Sequence, residues 1–169
     1  MDNAAARRAI AATIGSGSAT YGMRNERVWW LDCGNGRNAG QVLLGNATQK
    51  EGLRHAFNSH LGVCRALPAP SLQRPDLLET PPEPRRAADC AEAIAQGDQG
   101  PTINQVVAAI AASYVEKLLA GSCSWMASYF DLDDGMLSCT PAEPQHVAEI
   151  AGLHVNAVAP SGHRTPLSV

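Results

Sequence analysis

The stretch from Val28 to Gly45, VWWLDCGNGRNAGQVLLG, constrains the fold more than any other part of the chain. A phosphate-binding glycine loop needs a strand before the glycines and a helix after them, because the helix N-terminus supplies the amides and the dipole that hold the phosphate. Here apolar runs rich in β-branched and aromatic residues flank Gly34, Gly36 and Gly40, and no helical pattern follows. The glycines therefore predict a bend between two strands rather than a nucleotide site.

Composition limits the partners that the chain can have. Its 169 residues fit one globular domain, with 45% hydrophobic and 17% charged residues. The formal charge of -3, with arginines scattered along the chain, predicts binding to neither nucleic acid nor anionic lipid. The most apolar segment, from Ile103 to Leu119, is interrupted by polar and charged residues, so we expect a buried helix of a protein without a membrane partner.

The cysteines indicate the redox environment. There are five, an odd number, and none forms a Cys-x-x-Cys pair. This pattern argues against both a disulfide framework and a zinc site. We expect reduced thiols and a cytoplasmic location.

Two helices are predicted in the first third of the chain. Asp2 or Asn3 can cap an alanine-rich helix, and Gly15 or Gly17 can end it. The capping-box pattern TQKE, followed by apolar residues at helical spacing, predicts a second helix from about Gln49 to His60.

The segment from Leu67 to Arg86 holds six of the eleven prolines and shows no period, so we expect a long, mobile loop. The broad apolar face of Thr102 to Leu119 predicts the longest helix, forming the spine of the core and ending at Gly121.

The last third of the chain is predicted to contain a hairpin and one short helix. WMASYFDLDDGMLSC reads as two strands around a tight turn at Asp134 and Gly135. Pro144 to Ala151 fits a short helix ended by Gly152, and an irregular tail is expected from Val155 onward.

Cys90 has two interpretations. Arg85 and Arg86 lie nearby in sequence and would stabilise a reactive thiolate, whereas Asp89 and Glu92 would raise its pKa. The alternative is a small buried hydrophobe at the start of a helix. Asp2 is also open to two interpretations, since a helix cap explains it fully and a hydrated Mg²⁺ would need such a carboxylate.

Four segments, taken in order, resemble the second half of a ThiF/MoeB-type, ubiquitin-activating-like adenylyltransferase. DNAAARRAI is similar to the family's Asp-Asn-x-x-x-Arg helix at Asp2, Asn3 and Arg7. VWWLDCGNGRNAGQVLLG resembles its next strand, glycine bend and Gly-Gln strand. DCAEAIAQGDQGPTINQVVAAIAASYVEKLLAG resembles its cysteine segment and long helix, and YFDLDDGMLS its closing hairpin. The resemblance covers residues 2–140 and is strongest to the ThiF-like proteins of PRTRC gene clusters.

This resemblance implies an α/β fold: an incomplete ThiF-like, Rossmann-type domain with a mixed sheet, two hairpins and about four helices. The family's glycine-rich nucleotide loop precedes the Asp-Asn motif, so the expected domain lacks the N-terminal nucleotide-binding half. We expect residues 1–141 to form this half-domain, with 67–86 as its mobile proline-rich loop. Residues 142–169 then form a short helix and an irregular tail.

The family activates the C-terminus of a ubiquitin-like carrier protein as an acyl-adenylate with Mg-ATP. Carried over residue by residue, Asp2 would face the magnesium and act in catalysis, Asn3 and Arg7 would line the cofactor site with it, and Cys90 would be the family's thiol. We expect the isolated chain to bind no cofactor.

Three functions remain open on these grounds. The chain is a non-catalytic or partner-dependent remnant of such an enzyme, the catalytic half of a split adenylyltransferase with Cys90 as acyl acceptor, or a plain interaction module. With half of the sheet missing, the strand VWWL would expose an edge. We therefore expect a homodimer, or a partner chain that covers this edge.

Overall fold

The computed structural model describes residues 3–15, 28–57, 64–79 and 100–159. The helices are α1 (Ala4–Gly15), α2 (Pro70–Gln73), α3 (Ile103–Leu119), α4 (Pro144–Ala151) and α5 (Val155–Val158). The strands are β1 (Trp30–Asn35), β2 (Ala39–Gly45), β3 (Trp125–Asp131) and β4 (Met136–Pro141). Single 3-10 turns span Lys50–Leu53 and Pro75–Leu78.

The four strands form one antiparallel sheet in the order β1-β2-β3-β4. Both predicted hairpins, β1–β2 and β3–β4, are confirmed, and Gly135 takes a φ of +62° in the second turn. The expected mixed sheet is wrong for the described residues, since every strand pairing among them is antiparallel. Within the described part of the chain, the parallel pairing is one isolated bridge between Ala47 and Pro68. The result is an α/β protein whose described sheet is not of the parallel Rossmann type.

Helices cover both faces of the sheet, because successive side chains of a strand point to opposite faces. One face packs against α3, where Tyr114 is buried together with Val42 and Leu44 of β2. On the other face Trp30 packs against Ile14 of α1 and against Ala69, the residue that precedes α2.

Helix α3 has nearly the predicted bounds, but it is less buried than predicted. Only Ile103 and Tyr114 are fully buried, and Leu119 at its C-terminal end is 83% exposed. The predicted stop is confirmed: Gly121 has a φ of +66°, and the Ser122 amide donates to the Lys117 carbonyl at 2.9 Å, as in a Schellman motif. Among the described residues, no helix is long and apolar enough to cross a membrane.

The predicted helix from Gln49 to His60 is wrong over its described part. A single 3-10 turn, Lys50–Leu53, replaces it, and His55 takes a φ of +60°. The cause is a competing set of hydrogen bonds, since the amides of His55 and Phe57 donate to carbonyls of α5 at 2.9 and 3.2 Å. Leu53 and Phe57 thereby enter a core shared with Met126.

This same core explains a short helix, α5, where irregular chain was expected. Val158 of α5 is fully buried in it, so the chain beyond Val155 forms a helical turn, with His154 Nδ1 accepting from the Asn156 amide at 3.3 Å. Helix α4 also packs here and ends at Gly152, with a φ of +61°, as predicted.

The described part of the proline-rich segment contains α2 and the 3-10 turn Pro75–Leu78 instead of continuous loop. Leu67 is clamped to the end of β2, because its amide donates to Asn46 Oδ1 and its carbonyl accepts from the Asn46 amide, both at 3.0 Å. A side chain at Gly45 would overlap the Pro68 carbonyl that crosses it. The mobility expected for residues 67–86 stays a prediction.

Candidate functional site

The glycine series forms a strand bend, as predicted. The Gly36 amide donates to the Ala39 carbonyl at 2.8 Å, and β2 follows directly without a helix. The three glycines have different roles. A Cβ at Gly40 would lie 2.5 Å from Phe130 Cζ and 2.9 Å from the Gly34 carbonyl, whereas at Gly36 the nearest atom would be 3.8 Å away. Close packing therefore requires glycine at Gly40 and not at Gly36.

Asn3 is the N-cap of α1. Its Oδ1 accepts from the amides of Ala5 and Ala6 at 2.9 and 3.3 Å, which satisfies two of the amides left open at a helix start. The cap fixes where the helix begins and so places Arg7 one turn later, facing the sheet. Asp2 lies outside the described residues.

Arg7 forms a buried ion pair with Asp32 of β1. Its Nε donates to both carboxylate oxygens, at 3.2 and 3.0 Å, and its Nη2 donates to Oδ1 at 2.9 Å. The two side chains are only 5% and 3% exposed. Charges this deeply buried persist only when they are paired and hydrogen-bonded, so this contact fixes α1 on the sheet.

Gly34 and Gln41 complete the surroundings of this pair. They lie opposite each other in the β1–β2 register. A Cβ at Gly34 would lie 3.5 Å from the Gln41 side chain and 3.6 Å from Arg7 Nη2, so a side chain at this position would contact both residues. The helix, the glycine bend and the Gly-Gln strand meet at this point.

A second arginine reaches the same place from the proline-rich segment. Arg74 donates to Gln41 Oε1 at 2.8 Å and, with Nε and Nη2, to the two Asp76 oxygens at 2.8 and 2.6 Å. The Asp76 hydrogen bonds raise the pKa of Arg74, to which Tyr129 also contributes, and Arg74 lowers the pKa of Asp76.

We call Arg7, Asp32, Gln41, Arg74 and Asp76 the Arg7 cluster. Each of its two cations has a carboxylate partner, so its formal charge sums to zero, and Gln41 links it to the proline-rich segment. The contacts of the cluster hold three segments in fixed positions relative to one another: α1, the β1–β2 hairpin and the segment that carries Arg74.

The structure describes two of the four predicted site residues, and it places them in different surroundings. The structure brings Arg7 into the cluster and leaves Asn3 at the helix cap. Cys90, like Asp2, lies outside the described residues, so their roles stay predictions. Both described residues assigned to the cofactor are engaged within the protein, and the described chain contains no group of three or more His, Cys, Asp or Glu side chains fit to hold a metal. These donors do not by themselves fit Mg-ATP.

Asp32, Gln41 and Arg74 were not among the predicted site residues. Asp32 carried a usable signal: it lies two residues after Trp30 in an apolar strand and so shares its inward face. A carboxylate at an inward strand position predicts a buried cation partner. Arg74 carried no such signal, since it lies in a segment without a period.

Comparison with protein-family models, with curated proteins and with solved structures finds no significant match to this chain. The ThiF-type resemblance therefore rests on the sequence motifs.

Proposed function

We propose that residues 2–140 are the carrier-facing half of a ThiF-type adenylating system, which works together with a nucleotide-binding half on a partner chain. The observation that carries this proposal is the convergence at the Arg7 cluster. Three motifs that the resemblance picks out separately contact one another there: Arg7 of the Asp-Asn-x-x-x-Arg helix, Asp32 and Gly34 of the following strand, and Gln41 of the Gly-Gln strand.

The charges of the Arg7 cluster support the proposal that the chain needs a partner for adenylation. Adenylation requires cations and amides that converge on the phosphates, together with a metal. In the Arg7 cluster, Asp32 and Asp76 already neutralise the two arginines. The groups that neutralise the triphosphate in this proposal belong to the partner half.

The edge of the sheet supports a protein partner. Among the described residues β1 pairs with β2 alone, so its other side presents backbone donors and acceptors. An open strand edge is a site where a second chain adds to the sheet, and proteins usually cover it. A nucleotide-binding half or a second copy of this chain is the proposed cover.

Two measurements test this function. Calorimetry of the isolated chain with Mg-ATP is expected to show no binding, and a micromolar site would overturn the partner requirement. Co-expression with the glycine-loop half of a ThiF-type enzyme encoded in the same genome is expected to give a complex that exchanges pyrophosphate into ATP when a ubiquitin-like carrier is present.

Variants assign the roles within this complex. Asp2→Ala is expected to abolish exchange, whereas Asp134→Ala, which removes an exposed acid of the β3–β4 turn, should leave it unchanged. Equal activity of the two variants would contradict the role of Asp2. Loss of carrier thioester in Cys90→Ser, with exchange retained, would identify the chain as the acyl-accepting half of a split enzyme. If the chain forms no complex with the nucleotide-binding half, the adenylation proposal is wrong and the plain interaction module is the remaining alternative.

A further inference from the structure

A cavity of about 300 Å³ lies where two hydrophobic clusters of the core meet. Phe57 and Leu67 belong to the first cluster, and Leu44 belongs to the second. Trp29 packs against both clusters. All four residues line the cavity, and the first three are at most 9% exposed. The base of the cavity is therefore part of the hydrophobic core.

The walls of the cavity carry no charge. None of the described residues that line it is an acid, a base or a histidine. Two of them, Cys64 and Cys123, are thiols, and burial raises the pKa of each, so both are neutral at physiological pH. A charged molecule that left water for this cavity would find no partner of opposite sign in the walls. The lining therefore favours an uncharged occupant.

The mouth of the cavity is polar. Gly121, Ser122 and Ser124, in the connection from α3 to β3, also line it and are exposed to solvent. An apolar interior with a few polar groups at one end is typical of small-molecule sites, in which the polar groups fix the orientation of the ligand. A ligand can therefore bury an apolar body here and keep one polar group at the mouth.

We propose that this cavity binds a small, uncharged aromatic molecule with one polar substituent. Trp29 and Phe57 supply aromatic walls, against which an aromatic ring packs favourably. An apolar cavity of about 150 Å³ holds one benzene molecule. The present volume, about 300 Å³, therefore accommodates two fused rings. This inference is independent of the proposed adenylation function, and either can fail without the other.

Titration with 2-naphthol tests the site, because this molecule has two fused rings, one hydroxyl group and no charge at neutral pH. We expect one molecule to bind per chain in calorimetry, with a dissociation constant of roughly 100 μM or lower. The matched ligand control is 2-naphthoate, which has the same rings and a carboxylate. It should bind at least about tenfold more weakly, because its charge has no partner in the cavity.

Two tryptophan variants locate the bound molecule. Leu118 lines the cavity, so Leu118→Trp places a larger side chain there and should weaken the binding of 2-naphthol at least about tenfold. Leu119→Trp is the matched control and should keep the wild-type affinity, since Leu119 is the next residue of α3 and is 83% exposed. In the wild type, 2-naphthol should also slow the alkylation of Cys64 by N-ethylmaleimide in proportion to the occupied fraction. Cys139 does not line the cavity and should react at an unchanged rate.

Four results would overturn the inference: no saturable binding of 2-naphthol, equal affinity for 2-naphthoate, equal affinity in the two tryptophan variants, or alkylation of Cys64 at the same rate with and without 2-naphthol. Dissociation of a dimer by 2-naphthol in sedimentation experiments would also overturn it, since a second copy of the chain would then be the occupant. If Leu118→Trp does not fold by circular dichroism, the alkylation rates of the wild type decide.

Discussion

The buried pair of Arg7 and Asp32 allows the sharpest test of how the site is built. Replacing Arg7 by Met keeps much of the apolar stem but leaves a buried carboxylate without its cation. Because Asp32 is 3% exposed, water cannot replace the three lost hydrogen bonds without opening the contact between α1 and the sheet. Breaking a buried pair in this way costs about 3–5 kcal/mol.

This cost is large compared with the total stability of a domain, which is about 5–15 kcal/mol. With a urea dependence of about 1.5 kcal/mol per molar, a loss of 3 kcal/mol lowers the unfolding midpoint by about 2 M. Asp32→Leu should cost a similar amount, because it removes the carboxylate that accepts three hydrogen bonds from the buried guanidinium. The double variant Arg7→Met/Asp32→Leu removes both charges and should lie within about 1 kcal/mol of the wild type.

Urea unfolding followed by circular dichroism measures all three variants, and the double-mutant cycle gives the coupling energy. We expect a coupling of about 3 kcal/mol or more. Arg8→Met is the matched control, since Arg8 is the next residue of α1 and is exposed, with a hydrogen bond from Nη1 to the Leu78 carbonyl. Its cost should stay below about 1 kcal/mol. Equal costs for Arg7→Met and Arg8→Met, or additive single variants, would refute the account of the pair.

Three further predictions concern single positions. Gly40→Ala should cost about 1–3 kcal/mol in urea unfolding because its Cβ would meet Phe130, whereas Gly36→Ala should be nearly neutral, and equal costs would refute this packing argument. Gly135→Ala should lower stability by about 1 kcal/mol because of its φ of +62°, and Gly135→Asn should recover part of the loss; a neutral alanine would contradict the left-handed turn. Burial raises the pKa of Cys64 from 9.0 to about 12, so the native state favours the protonated thiol. The stability gained by burying the neutral Cys64 thiol is complete below pH 9 and is lost as the pH rises towards 12. The free energy of unfolding should therefore fall more steeply with pH in the wild type than in Cys64→Ala over this range. Parallel curves for the two proteins would contradict the raised pKa.

The elements that the sequence predicted correctly are those with local signals. The β1–β2 and β3–β4 hairpins follow from apolar runs around turn residues, and α1, α3 and α4 follow from caps, period and terminal glycines. The errors at Gln49–His60 and beyond Val155 share one cause. In both segments the local pattern is overridden, because amides of His55 and Phe57 donate to carbonyls of α5 about a hundred residues further along the chain. No local pattern encodes that pairing.

The candidate site also has parts that local sequence signals predicted and parts that they did not. Arg7 could be singled out because it belongs to a motif, and the glycine bend because strands flank it. The partners of Arg7 depend on which face of β1 meets α1, and that is decided by packing of Trp30 against Ile14 and Ala69. The contact from Arg74 to Gln41 depends in turn on the Leu67 clamp at the end of β2. These links are long-range, so the cluster became visible only in the fold.

A buried ion pair is a poor source of net stability, which raises the question of what the Arg7–Asp32 pair achieves. An apolar helix face can slide or rotate on an apolar strand at little cost, whereas the fork of Arg7 meets both oxygens of Asp32 in a single arrangement. We therefore expect Arg7→Met/Asp32→Leu to keep its stability but to lose the unique position of α1. Hydrogen exchange should show faster local opening of α1 amides in this variant, while amides of β2 exchange as in the wild type. Because Asp2 directly precedes the Asn3 cap of α1 in the sequence, the same variant should impair any activity that depends on Asp2. Unchanged α1 protection would show that apolar packing alone positions the helix.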